Sequence, residues 1–175
     1  MMSERAYIGV GSNLGDRTLR CQEAIRAISK IAGVTAIDAS SFYETTPVPP
    51  ASGGWFVNGV VSVQTQLTPE ALLFELRRIE QSMGRAAERA RGADRSIDLD
   101  LLLVGSQVVE QPDLVLPHPR LHQRRFVLVP LCELDPNLRH PVFGVTMQEL
   151  LHRLDDPSLV RLLMSAEKSI PGEDG

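Results

Sequence analysis

Three observations predict an α+β fold for this 175-residue chain. Two segments carry apolar residues at helical spacing, and each is flanked by β-prone stretches. The run Ile97-Asp98-Leu99-Asp100-Leu101-Leu102-Leu103-Val104 alternates and then becomes wholly apolar, as a central strand with one polar end does. The resulting order, β-α-β-β-α-β, is that of the ferredoxin-like, split βαβ arrangement. Its antiparallel sheet carries both helices on one face and leaves the other face available.

Each element has a local cause. Ala6-Tyr7-Ile8-Gly9-Val10 is short, apolar and β-prone, Gly11-Ser12-Asn13 ends it in a turn, and Asp16 is placed to cap a helix. Over residues 19–32 apolar side chains recur at 21, 25, 28 and 32, beside Ala24 and Ile31, until Gly33. Residues 34–46 and 56–66 are rich in Val, Ile, Thr and aromatics and read as two strands joined by a Pro/Gly/Ser loop at 47–54. Thr68-Pro69-Glu70 supplies an N-cap, a proline at the first helical position and an early acid. Leu72, Leu76, Ile79 and Met83 then share one face up to Gly84.

A charged loop at 85–96 leads into the strand at 97–104. Beyond 105 we expect a small hairpin, a Pro-His-Pro turn at 117–119 and helices over 126–134 and 146–154, which form a C-terminal α/β appendage to the sheet. One domain is expected over residues 1–166, with 167–175 a frayed tail.

At 43% apolar and 23% charged residues the composition suits one globular domain with its own core. No stretch approaches the roughly 20 apolar residues of a membrane span, and the N-terminus lacks a long apolar segment. A cytoplasmic protein with no membrane partner is therefore expected; a monomer is the default expectation, which no residue pattern here fixes. Cys21 and Cys132 lack both a CxxC pairing and histidines at zinc spacing, and read as buried thiols. A net charge of −4 argues against a nucleic-acid partner. All but Lys30 and Lys168 of the 18 basic residues are arginine, so what matters is where the arginines cluster.

In a strand, residues two apart point the same way. Asp98 and Asp100 therefore project together, while Ile97, Leu99, Leu101 and Leu103 line the helix-covered side. Two adjacent carboxylates repel unless a cation or arginines neutralise them, and an all-oxygen site suits magnesium. Arg77, Arg78, Arg85, Arg89, Arg91 and Arg95 directly precede the pair. Guanidinium groups facing a dicarboxylate are what phosphoryl transfer requires. The alternative is a surface ion-pair cluster, since Glu80, Glu88 and Asp94 interleave the arginines.

A phosphate-binding GxxxxGK[ST] loop is absent, and Gly9-Val10-Gly11-Ser12-Asn13 is too short for a dinucleotide loop. Phe56 and Asn58 share one side of their strand, opposite Val57, Gly59, Val61 and Val63, which fits stacking and edge recognition of a flat heterocycle. Taken singly, Phe56 reads more readily as a core residue than as a ligand platform, and Asn58 as satisfying a loop. His118, with Arg120, Arg124, Arg125 and Phe126, makes a rigid turn beside a basic patch.

These residues resemble the 6-hydroxymethyl-7,8-dihydropterin pyrophosphokinase family of folate biosynthesis. The resemblance runs from about residue 6 to 155. It rests on Gly11-Ser12-Asn13-Leu14-Gly15, Ser41-Phe42-Tyr43-Glu44-Thr45, Phe56-Val57-Asn58 and Arg78-Ile79-Glu80 with Gly84-Arg85. Arg95-Ser96-Ile97-Asp98-Leu99-Asp100 and Pro117-His118-Pro119-Arg120 with Arg124 and Phe126 complete it.

The resemblance implies transfer of diphosphate from ATP to 6-hydroxymethyl-7,8-dihydropterin, with Asp98 and Asp100 holding two magnesium ions and Arg85 and Arg95 stabilising the transferred group. It places ATP against Glu80, Arg91, Leu101, His118 and Arg124. It places the pterin between Phe56 and Phe126, with Asn58 at its polar edge and Thr45 and Val48 nearby. The family usually carries Gly-Pro-Arg where Ala93-Asp94-Arg95 stands here and a bulky residue where Gly92 stands, so weaker ATP binding or slower closure is expected. Loop 86–95 is expected to order only with both substrates present.

Three other readings stay open on the residues alone. An RNA-recognition module would use the same element order with exposed aromatics and a basic face. A metal-dependent hydrolase or glycosyltransferase would be built on the Asp-x-Asp pair, and a non-catalytic relative would bind pterin without turnover.

Overall fold

The computed structural model of the chain describes residues 2–47, 54–84 and 97–165. Its first half has one strand more than the expected order: β1 (Glu4–Ser12), α1 (Arg17–Ser29), β2 (Val34–Ala39), β3 (Phe42–Thr45), β4 (Phe56–Thr65), α2 (Pro69–Ser82) and β5 (Asp98–Val104). Both helices start at the expected caps. The Asp16 carboxylate accepts from the Leu19 amide and the Thr68 hydroxyl from the Ala71 amide, which satisfies donors that a helix N-terminus leaves unpaired.

These strands and a late one, β8 (Val160–Met164), form one antiparallel sheet, in the order β5-β1-β4-β3-β8, with β2 also pairing to β4. Cys21, Ala24 and Ile28 of α1 and Leu72, Leu76 and Ile79 of α2 pack on one face, against Ile8, Val10, Val57, Val61, Leu99 and Leu101. Burial of this kind stabilises by about 1.5–3 kcal/mol for each large aliphatic side chain.

Four expectations need correction. The single strand expected over 34–46 is two, because the chain leaves the strand at Ser40 and Ser41; within β2 the ladder is also irregular between Thr35 and Asp38, where Ala36 takes a φ of 50°. The sheet face away from α1 and α2 is not open along its length. There Tyr7, Val60, Leu102 and Leu103 pack under Leu121, Val127, Leu128, Leu131 and Met147, a second core.

Leu103 therefore does not line the helix side. Tyr7 pairs with Leu103 and Ile8 with Leu101, so Leu102 is an extra residue in β5, and such a bulge reverses the side-chain alternation beyond it. The fourth correction is β8 (Val160–Met164), which pairs with β3 and forms the outer edge of the sheet. Nothing in its short apolar run distinguished it from the end of the chain.

The second core is built by the C-terminal part. A hairpin of β6 (Val109–Gln111) and β7 (Leu114–Leu116) leads through a cis Leu116–Pro117 bond to a single 3₁₀ turn, then α3 (Arg125–Leu134) and α4 (Met147–Arg153). A capping box formed by Thr146 and Glu149 starts α4. The N-terminus of α3 is closed from a distance, since the Asp156 carboxylate accepts from the Arg125 amide at 3.0 Å. Among the described residues, no helix is long and apolar enough to cross a membrane.

Candidate active site

The polar end of the second sheet face is set by register. Asp98 of β5 lies opposite Gly11 of β1, which lies opposite Asn58 of β4, which lies opposite Tyr43 of β3. One row on, Asp100 lies opposite Gly9, and Gly9 opposite Val60. Residues paired across strands share a face. Two glycines thus form a bare floor between the carboxylates of β5 and the amide of β4. With strands about 4.8 Å apart, the two sides of this trough stand roughly 10 Å from each other.

On the β4 side, Asn58 is buried, and its amide nitrogen donates to the Thr45 hydroxyl at 2.7 Å. Thr45 pairs with Phe56, so Thr45, Phe56 and Asn58 are neighbours on one face. Gly11 is required beneath them, because a Cβ there would lie 2.5 Å from the Asn58 side-chain oxygen.

On the β5 side, burial and the Asp98 charge push the Asp100 carboxyl well above the usual carboxylate range, while Arg124 and Arg77 act the other way. Glu80 of α2 reaches this strand from beneath. It is 2% exposed, takes Arg77 at 2.7 Å, and accepts from the main-chain amide of Leu99 at 3.0 Å. The residue between the two aspartates is thereby tethered to α2.

The segment after β7 covers the same strand, with the His118 amide donating to the Leu102 carbonyl at 2.9 Å. Burial, then the nearby Arg124, lowers the His118 pKa to about 4, so the ring is neutral at pH 7. Its Nδ1 accepts from the Arg120 amide at 3.2 Å, which leaves the ring proton on Nε2 as a donor. The Arg124 guanidinium sits 5.4 Å over the Phe126 ring.

The structure thus gathers Asp98, Asp100, Glu80, His118 and Arg124 on the β5 side, and Thr45, Phe56 and Asn58 on the β4 side. Leu101 stands apart: its side chain is in the helix-side core, away from the face that carries the aspartates. Val48, Arg85, Arg91 and Arg95, and with them the Gly92-Ala93-Asp94 departure and loop 86–95, lie outside the described residues.

Sequence reasoning missed the glycine floor, the tethering by Arg77 and Glu80, and the Asp156 cap. Glycines two apart in a β-prone run were a legible sign of a bare strip on one face. The Glu80 tether and the Asp156 cap span 19 and 31 residues and leave no local trace.

Among the described residues, no three His, Cys, Asp or Glu side chains converge as a closed metal cage. A pair of carboxylates, one destabilised in its charged form by the other, suits a cation that keeps open positions for waters or phosphate oxygens, as magnesium does.

The sequence pattern of the 7,8-dihydro-6-hydroxymethylpterin-pyrophosphokinase family matches residues 7–136. The chain belongs to this family. Within the pyrophosphokinase family, the 2-amino-4-hydroxy-6-hydroxymethyldihydropteridine pyrophosphokinase of Haemophilus influenzae is 37% identical over 157 residues, covering 90% of this chain and 97% of that protein. The enzyme of the same name from Bacillus subtilis is 41% identical over 133 residues, 76% of this chain and 79% of that one. In fold, the chain is similar to the crystal structure of wild-type HPPK-DHPS from Plasmodium falciparum, with a TM-score of 0.69 at 14% identity. It covers 87% of this chain but spans only 45% of that longer one.

Proposed function

We propose that this chain transfers the diphosphate of ATP to the hydroxymethyl oxygen of 6-hydroxymethyl-7,8-dihydropterin, giving AMP and the dihydropterin diphosphate, as a step of folate biosynthesis. The observation that carries the reading is the trough itself: a carboxylate pair and a buried amide face each other across two glycines, roughly 10 Å apart. That gap suits a phosphate chain on one side and a flat heterocycle on the other. The relatives named above support the same chemistry.

In this reading Asp98 and Asp100 hold magnesium, two ions in the full complex. The positive charge held there would offset the charge of the phosphate chain during transfer. The other roles belong to the protein. Thr45 fixes the Asn58 amide, which presents its oxygen to the polar edge of the pterin. Phe56 and Phe126 hold the ring, with Val48 beside it.

Glu80 and Arg77 hold β5 so that the aspartates keep their spacing, and Glu80 meets ATP only at the site's inner wall. His118 donates from Nε2 and Arg124 adds positive charge on the ATP side, with Arg91 and the Leu101 main chain nearby. Arg85 and Arg95 stabilise charge on the transferred group.

The strand order and the two helices on one face support a ferredoxin-like core with a C-terminal α/β appendage, a single domain over residues 1–166. The net charge of −4 supports action on small molecules rather than on nucleic acid, and in this reading the chain works as a cytoplasmic monomer. An RNA-recognition module loses support, because its stacking face would be occupied here by the second core and two aspartates.

AMP release from ATP and magnesium, measured with and without 6-hydroxymethyl-7,8-dihydropterin, tests the reaction. Pterin-dependent AMP is expected from the native chain and none from Asp98→Ala. Absence of AMP from folded native protein would overturn the proposal.

A further inference from the structure

Behind the strand pair that carries Thr45 and Phe56 lies a charged ring with no part in the proposed chemistry. Glu44 precedes Thr45 and, like its partner Val57, faces the helix side of the sheet. One carboxylate oxygen accepts from Arg17 of α1 at 3.1 Å. The other accepts from Arg161 of β8, at 2.9 Å from its terminal nitrogen and 3.3 Å from Nε. Arg161 first, and Arg17 after it, hold the Glu44 carboxyl below the usual range, so the charge persists at neutral pH.

Both arginines also reach Trp55. Arg17 donates to its main-chain carbonyl at 2.6 Å, and the Arg161 guanidinium lies 4.8 Å over its ring. Trp55 immediately precedes Phe56. α1, β3, β8 and the residue just before β4 are therefore closed into a ring around Glu44, on the opposite side of the sheet from Thr45 and Asn58.

The Arg161 side chain is 66% exposed and that of Glu44 15%. With its guanidinium so open to water, Arg161 adds little to stability through this pair. What the ring does restrict is geometry: it fixes both the carbonyl and the ring of Trp55, and hence the direction in which the chain presents Phe56.

We propose that Arg17, Glu44 and Arg161 are positioning residues that orient Phe56 through Trp55 and thereby set affinity for the heterocyclic substrate. The inference rests on the reading that Phe56 meets the pterin.

Calorimetric binding of 6-hydroxymethyl-7,8-dihydropterin to the full chain, with an ATP analogue present, tests it on native protein, Arg161→Ala, Arg161→Lys and Glu44→Gln. Trp55 is the only tryptophan, so its emission reports the state of the ring directly. Arg161→Ala is expected to raise the pterin Kd and KM roughly 5- to 10-fold, with kcat and the ATP KM within about 2-fold of native, since a misdirected platform weakens binding and leaves the phosphate side intact. Arg161→Lys should recover part of the loss.

Native pterin affinity in Arg161→Ala and Glu44→Gln, with Trp55 emission altered, would overturn the positioning role. So would an equal loss of ATP affinity alongside a lowered melting temperature, which would mark general destabilisation. If the native chain itself fails to bind pterin, the proposed function fails instead, a separate outcome.

Discussion

The Glu80 carboxylate accepts a hydrogen bond from the Leu99 amide at 3.0 Å, so the main chain between Asp98 and Asp100 is tied to α2 by a buried side chain. Glu80→Ala leaves that amide without this acceptor. The Arg77 side chain, 49% exposed, can turn to water, so the cost falls mainly on Leu99. A loss of about 1–3 kcal/mol is expected, a fall in melting temperature of roughly 2–4 °C for each kcal/mol.

With the carboxylates displaced, kcat should fall on the order of 10- to 100-fold. Glu80→Gln, which keeps an oxygen acceptor, should recover much of both. Thermal unfolding and steady-state AMP formation are the measurements. Native kcat in a destabilised Glu80→Ala would show that Glu80 holds the fold without governing the aspartates.

Gly9 and Gly11 make opposite demands despite their shared strand. A Cβ at Gly9 would meet Asp100 Cβ and Leu102 at 3.7 Å, ordinary contact, whereas at Gly11 it would lie 2.5 Å from the Asn58 side-chain oxygen. Gly11→Ala must push the Asn58 amide off Thr45, at a cost of about 1–3 kcal/mol, and should raise the pterin KM about 10-fold. Gly9→Ala should unfold within about 0.5 kcal/mol of native. Denaturant unfolding with paired kinetics checks both; equal penalties at the two positions would contradict the register argument.

His140 governs a pH response away from the site. Its Nδ1 accepts from the Val142 and Phe143 amides at 3.2 and 3.1 Å, and its ring stacks on Phe143 at 4.1 Å. Burial, then the neighbouring His122, lowers its pKa below the ordinary 6.5. Between the two values the unfolded chain binds the extra proton. The stabilisation is therefore full above 6.5 and is lost as pH falls from there through the depressed folded value.

His118, lowered to about 4, acts in the same direction, so the test is a difference between proteins. The melting temperature should fall from about pH 7 to 5 more steeply in the native chain than in His140→Gln. Parallel curves would remove His140 from the account.

The sequence alone determined what a few neighbouring residues decide. The caps at Asp16 and Thr68 and the facing of Asp98 and Asp100 to one side were legible, because capping and alternation act within a turn of helix or two residues of strand. So was the motif set that marks the family, whose spacing survives in one dimension.

Only the tertiary structure decided which distant segments meet. The extra residue at Leu102, which turns Leu103 to the second core, depends on the partner strand β1 rather than on the uniform Leu-Leu-Leu run. β8 exists because β3 offers it an edge, and Arg161 acquires its role only from Glu44 and Trp55 across that edge. The tether from Glu80 to Leu99 is of the same kind. Register, sheet order and side-chain bonds over long separations are set by which packing buries the most apolar surface while pairing nearly all buried polar groups, a comparison that only the whole fold makes.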